Sequence, residues 1–496
     1  MAGMSMSLPA DILASDLPAD ITELSASGLS AAIRQRHLTC VGVMHAYLER
    51  IHRYNPVYNA IVSMIADDEL IRQAELADRA LDNDEYWGWM HGMPHAVKDM
   101  FDVEGQPTSW GSPILAGKIA QRDQLSVSRI RRQGAIFIGK TNMPEWGMGS
   151  QTYNPVFGTT GSAYDSGLTA GGSSGGAACG LATHMLPVAD GSDLMGSLRN
   201  PGAFNNVIGF RPTQDRVPND VGSDLYYTRM GATGPMGRNT EDTIRLLLTL
   251  AGYAPALPLT LRDQLAPASE FRAFDWRGLR IGWLGNYDGY LEIAPGILGL
   301  CEANLAVLSN SGATVESCMP AYDMPRLWHT WLTLRNWGRN GMRPLYDDAE
   351  MRRLLKPEAI WEIEGSLETS GAQLYEAGIA RADWFRAILA LFGQYDFLIL
   401  PTAQVFPFDK NIHWPKKIKG VAMDTYHRWM EVVIGGTLAG LPVCNVPVGF
   451  DAEGRPMGMQ VMGPFGEDRR VLEFALGYEA VTDHLERRPE LVPASM

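Results

Sequence analysis

The stretch from Gly171 to Gly202, "GGSSGGAACGLATHMLPVADGSDLMGSLRNPG", constrains the fold more than any other part of the chain. Four glycines enclose Ser173 and Ser174, which permits close backbone approach and positive φ angles. An Ala-rich run follows at once and reads as a helix, so backbone N–H donors converge on a small volume at its start. Glycine and serine clusters are usually plain loops. Here a second Gly-Ser pair, Gly196 and Ser197, follows, with Asp193 ahead of it and Arg199 and Pro201 behind it. From Gly92 to Pro218, short apolar runs alternate with Gly, Ser and Asn clusters, the texture of an α/β layer whose working residues sit on loops between strands and helices.

Elements on either side of this layer can be read from periodicity and caps. Residues 1–28, rich in Ser, Ala, Asp and Pro, are expected to lie over the surface. A helix is expected in "LTCVGVMHAYLERIHRYNP", bracketed by a Thr39 cap and a terminating Pro56. A second helix should bury Leu70, Ala74, Ala77 and Leu81, which recur at helical spacing behind a carboxylate-rich first turn. Downstream, "LRIGWLG", "DFLILPT", "PVCNVPVGF" and "GMQVMG" read as strands, and "CEANLAVLSN" and "EDRRVLEFALGYEAV" as helices. Between them lies a Trp-rich stretch, residues 320–395.

Three motifs mislead. "GAIFIGKT", Gly134 to Thr141, satisfies the P-loop pattern G-x-x-x-x-G-K-[ST]. Its x positions, however, are Ala135, Ile136, Phe137 and Ile138, which favour a buried strand, and "SVSRIRRQ" ahead of them reads as a helix. A phosphate-binding loop needs the order strand, loop, helix, so no nucleotide cofactor is expected and Lys140 reads as a loop-bonded or solvated cation. Gly172 to Gly176 formally matches G-x-S-x-G, the nucleophile elbow, yet "YDSGLTA" is a poor strand to precede it. His91 and His95 have i,i+4 spacing, but Gly92 and Pro94 between them argue against a metal-binding helix. No metal and no cofactor are expected.

Composition narrows the partners. Lys plus Arg number 42 against 56 Asp plus Glu, a formal net charge of −14, with no long basic run; a nucleic-acid partner is not expected. The five cysteines are dispersed and contain no C-x-x-C pair, which fits a reducing cytoplasm. No basic n-region or unbroken apolar span is present, so neither a signal peptide nor a membrane segment is expected.

The strings "GGSSGG", "GSDLMGSLRNP" and "GFRPT" resemble the amidase signature family, whose members hydrolyse amides with a Ser-cisSer-Lys triad. "GMPHAVKDMFDVEG" is similar to the stretch that carries the family's lysine and supplies Lys98. The separations 173 − 98 = 75 and 197 − 173 = 24 also resemble those of a family member. The likeness spans roughly Leu29 to Leu250 and Asp396 to Val481 and fades through the Trp-rich middle. It implies one compact α/β amidase-signature domain over residues 29–490, a large mixed β-sheet covered by α-helices on both faces. It also implies that "GAIFIGKT" is a structural strand and turn.

By this resemblance Ser197 is the nucleophile, Ser173 relays its proton and follows a cis peptide, Lys98 is the base and Ser174 supports them. A lysine acts as a base only when neutral; lowering its pKa from about 10.4 to about 7–8 requires roughly 3–5 kcal/mol, which burial and nearby hydroxyls can supply. The backbone N–H groups of Leu194, Met195, Gly196 and Ser197 are the implied oxyanion hole. Asp193 and Arg199 match positions that brace the loop, the other reading being a surface ion pair. One departure stands out: many members read Gly-Gly-Ser where this chain has Met195-Gly196-Ser197, and a Met at positive φ would carry a cost.

The Trp-rich region 320–395 falls where the family caps its substrate pocket. Trp328, Trp331, Trp337 and Trp361 are as compatible with core as with pocket, and Trp146 and Met148 extend the same apolar wall. The expected substrates are small apolar or aromatic amides, acyl anilides and arylamides, cleaved at the C–N bond. Carbamates (urethanes) are the alternative, since they offer the same carbonyl. A tRNA-dependent amidotransferase A-type subunit, which would need partner subunits, and a catalytically inactive binding protein are rivals of other classes. Oligomeric state stays open, a homodimer included.

Overall fold

A computed structural model describes residues 10–220, 224–227 and 229–494 of the 496-residue chain. Its smaller sheet joins β1 (Ile61–Val62), β2 (Pro94–Lys98) and β3 (Ile136–Thr141) in the order β1-β3-β2. Its larger, eight-stranded sheet contains β4 (Ala189–Asp193), β5 (Ile208–Arg211), β6 (Ala232–Gly237), β7 (Arg280–Trp283), β8 (Thr314–Ser317), β9 (Phe397–Pro401), β10 (Val443–Phe450) and β11 (Pro456–Met462). The strand order is β8-β7-β9-β11-β10-β5-β6-β4. β7 pairs in parallel with β8 and β9, and the remaining pairs are antiparallel, so the sheet is mixed. With helices packed against it, this is the α/β architecture that the resemblance implies. "FLILP" of β9 is buried at every position, as expected of a central strand covered on both sides.

"GAIFIGKT" lies largely in β3, preceded by the helix Leu125–Arg131. Lys140 is fully buried and its Nζ donates to the Phe101 carbonyl and to Thr108 Oγ1 (3.2 Å). The helix Asp67–Asp82 buries Leu70, Ala74, Ala77 and Leu81, the face read from periodicity. Among the described residues no helix is long and apolar enough to cross a membrane.

Two expectations need correction. The helix capped by Thr39 does not stop at Pro56; it runs Cys40–Tyr58 with Pro56 inside its last turn, and ends where Asn59 turns left-handed (φ 51°). An Asn in that conformation is itself a helix terminator. The surface segment is also shorter than residues 1–28. Residues 10–21 are exposed or half-buried, but Thr22, Leu24, Ala26 and Ser27 are buried and a helix begins at Ala26. Asp242 anchors it there, accepting from the N–H groups of Ala26 (2.8 Å) and Ser27 (2.9 Å). Residues 1–9 of the expected segment lie outside the described residues.

Candidate active site

Lys98 and the two Gly-Ser pairs meet where the two sheets adjoin. Lys98 ends β2 and is fully buried. Its Nζ lies 2.8 Å from Ser173 Oγ, 2.9 Å from Ser174 Oγ and 3.0 Å from Ser192 Oγ. The Gly172–Ser173 peptide bond is cis. Burial pushes the Lys98 amine down to about 7, against the pull of the Asp190 and Asp193 carboxylates. A neutral amine at this position has one lone pair, which can accept the proton of one of the three hydroxyls. The Lys98 backbone N–H donates to Asp190 Oδ2 (3.3 Å), and Asp190 Oδ1 lies 2.9 Å from His95 Nε2. These buried contacts join β2 to β4.

The glycines explain how the serines reach the lysine. A Cβ on Gly176 would fall 2.3 Å from the Asn142 nitrogen and 2.4 Å from the Ala60 oxygen. Only glycine therefore allows the helix Gly175–Ala182 to sit this close to the ends of β1 and β3. In the second loop the positive φ falls on Gly196 (79°), while Met195 stays outside the left-handed region, so the Met is accommodated without backbone strain.

Asp193 organises this loop. Its carboxylate accepts from the N–H groups of Gly196 (2.9 Å) and Leu198 (3.2 Å) and from Arg199 Nε (2.9 Å) and Nη2 (2.8 Å). Asp193 and Arg199 are both fully buried, which rules out a surface ion pair. Burial alone would raise the Asp193 carboxyl, but the Arg199 and Arg211 guanidiniums hold it well below the usual carboxylate range. Arg199 Nη1 also donates to the Val433 carbonyl (3.0 Å) and to Gln460 Oε1 (2.7 Å) on β11, tying the loop to the large sheet. One member of the expected oxyanion set is altered by this arrangement. The Gly196 N–H is spent on Asp193, whereas those of Leu194, Met195 and Ser197 make no hydrogen bond among the described residues.

A cavity of about 210 Å³ lies over Ser173, Ser192 and Ser197. Ser174 does not line it and is fully buried behind Lys98. Trp110 and Trp146 form one wall, ring centroids 6.0 Å apart. Leu334, Arg335 and Arg339 form another, from the last turn of the helix Met324–Trp337 and the residues just after it. Of the expected pocket residues only Trp146 lines this cavity. Met148 packs with Leu355, Ile363 and Tyr426 in a separate small core. Trp328 and Trp331 are buried in the main core; they lie one to three turns before the helix end that reaches the cavity.

Sequence reading did not single out Ser192, Trp110, Arg335 or Arg339. Ser192 reaches the lysine only because β4 lies beside β2 in the fold. The others carry no local signal, because the fold brings them from distant parts of the chain.

A model of the Amidase family matches residues 42–472. An acylamidase of Rhodococcus erythropolis is 30% identical over 473 residues, covering 94% of this chain and 97% of its own. The A subunit of the glutamyl-tRNA(Gln) amidotransferase of Symbiobacterium thermophilum is 32% identical over 493 residues, covering 94% and 99%. The solved structure of a bacterial aryl acylamidase of the amidase signature family superposes with a TM-score of 0.86 at 26% identity, covering 94% of this chain and 99% of that one.

Proposed function

The chain belongs to the Amidase family and is an amide-hydrolysing enzyme, and on that basis we propose that it is a serine hydrolase of small apolar or aromatic amides, acyl anilides and arylamides first. The observation that carries the reading is a buried lysine amine 2.8 Å from Ser173 Oγ, at the floor of a cavity that Ser197 also lines. Neutral Lys98 takes the Ser173 proton as Ser173 takes that of Ser197, and Ser197 Oγ bonds to the substrate carbonyl carbon. The resulting oxyanion is met by the N–H groups of Leu194, Met195 and Ser197, each such donor contributing roughly 3–4 kcal/mol. The proton returns through Ser173 to the departing amine as the C–N bond breaks. Water then attacks the acyl-enzyme by the same relay, releasing the acid. Ser174 and Ser192 hold the lysine in place, and the Asp193–Arg199 pair holds the loop.

Trp110 and Trp146 support an aromatic substrate group. Both adopt positive φ (54° and 56°), a conformation that bulky residues keep only where the surrounding structure imposes it, often at ligand sites. The acylamidase relative and the aryl acylamidase structure favour the same substrate class. Carbamates present the same carbonyl to Ser197 and are the next class to screen. An A-type amidotransferase subunit is the second reading, favoured by the 32% identity to such a protein; glutaminase activity together with copurifying partner subunits would select it.

The deciding experiment is intact-mass analysis after fluorophosphonate treatment, with peptide mapping. An adduct on Ser197 is expected; an adduct on Ser174, or none, overturns the assignment. Two further results are expected. The kcat/KM profile should rise with pH through an apparent pKa near 7, falling about tenfold per pH unit below it, because the protonated amine cannot accept a proton. A profile flat from pH 5 to 8 would remove Lys98 as base. Trp146→Ala should raise KM for an acyl anilide by about tenfold, in line with the lost aromatic contact, while changing KM for the corresponding simple alkyl amide by less than threefold; equal effects would place the ring outside the substrate site.

A further inference from the structure

Three charged residues line the cavity: Asp193, Arg335 and Arg339. Asp193 is matched from behind by Arg199 and Arg211. Arg335 and Arg339 share a single carboxylate, Glu362: Arg335 Nε lies 2.5 Å from Oε1 and Arg339 Nε 2.6 Å from Oε2. Burial alone would raise the Glu362 carboxyl, but the two guanidiniums hold it at about 2, so it is an anion. Tyr426 donates its hydroxyl proton to Glu362 and accepts from Arg335 Nη2 (2.7 Å). Burial keeps Tyr426 protonated and neighbouring His427 neutral, so neither changes the charge balance. The cluster holds two cations and one anion.

The two arginines are not equivalent. Arg335 is fixed, its side chain 3% exposed, engaged at both Nε and Nη2, and stacked over Trp331 (5.6 Å). Arg339 is 19% exposed, and among the described residues only its Nε has a partner. Its two terminal NH2 groups form a planar fork that matches a carboxylate bidentately.

We propose, building on the amide-hydrolase reading above, that Arg339, held in place through Glu362 and Arg335, is an anion subsite of the substrate cavity. The preferred substrates are then compact amides that carry a carboxylate away from the scissile C–N bond, such as a half-anilide of a short dicarboxylic acid. The size of the cavity, about 210 Å³, keeps both the scissile carbonyl and the carboxylate on a short chain. Glu362 takes only the Nε of Arg339, so the terminal NH2 groups at the cavity wall are left for a second anion, which a substrate carboxylate supplies.

Binding to the Ser197→Ala protein tests this by calorimetry without requiring turnover. Succinanilic acid is expected to bind at least tenfold more tightly than its neutral analogue N-phenylbutanamide, and raising NaCl from 0.05 to 0.5 M, about a threefold shorter screening length, should narrow that gap. Adding Arg339→Gln should bring the two ligands within about threefold, with Arg339→Lys retaining part of the preference. Equal affinities, or a preference that survives Arg339→Gln, overturn the anion subsite. The salt series reads the charge in protein that keeps Arg339, so it decides even where a substitution disturbs folding. If the parent enzyme hydrolyses neither compound, the amide-hydrolase reading fails, while the binding ratio still decides the subsite.

Discussion

Ser197→Ala is expected to lower kcat toward an acyl anilide by at least about 10⁴-fold and to abolish the fluorophosphonate adduct, with thermal unfolding little changed. As the proposed nucleophile, Ser197 is the one member of the site whose removal leaves no route to an acyl-enzyme, and it is small and at the cavity surface, so its loss perturbs little packing. Lys98→Ala should cost a comparable factor, and the double variant little more, because residues that act as one proton relay give non-additive losses. Ser174→Ala should keep the adduct on Ser197, since Ser174 contacts Lys98 (2.9 Å) but does not line the cavity. Residual activity of Ser197→Ala within tenfold of the parent would require another nucleophile.

Arg199→Ala is expected to destabilise the fold by about 3–5 kcal/mol, the usual cost of leaving a buried charge without its partner. Asp193 is fully buried and would keep only Arg211, 3.8 Å away, as a nearby cation. The side chain also anchors Val433, Gln460 and Thr437, so its removal opens four attachments of the loop at once. Equilibrium unfolding in urea reads the effect, and a loss below about 1 kcal/mol would contradict it. The double variant Asp193→Asn with Arg199→Met should recover part of the stability, because removing both charges leaves neither uncompensated. Activity should not recover with it, since the two carboxylate oxygens of Asp193 each accept one N–H of the loop, from Gly196 and Leu198, whereas Asn has a single acceptor oxygen and would turn its NH2 toward one of them.

Local patterns carried much of the fold. The apolar face of Asp67–Asp82, the buried β9 and the extended "IFIGKT" of β3 follow from spacing and side-chain shape. Where propensity and context competed, context won: Pro56 was absorbed into a last helical turn, and Ala26 and Ser27 were drawn inward by Asp242, more than 200 residues away. The Trp-rich stretch shows the same limit. Trp328 and Trp331 share a helix with Arg335, yet the cavity reaches only the end of that helix.

The local requirements of the site were legible in the order of residues. That order marked glycines where a Cβ would strike backbone and a Gly-Ser loop flanked by Asp193 and Arg199, while Lys98 was marked only by the resemblance of the stretch that carries it. These depend on residues within a few positions of one another, whose sterics and spacing can be read in one dimension. Long-range contact settled the rest: Ser192 joining the lysine, the Gly196 N–H being spent on Asp193, Trp110 meeting Trp146, and Arg335 and Arg339 meeting the cavity. Burial, which brings Lys98 down to about 7, and the sharing of Glu362 by two arginines exist only once distant segments have excluded water around them.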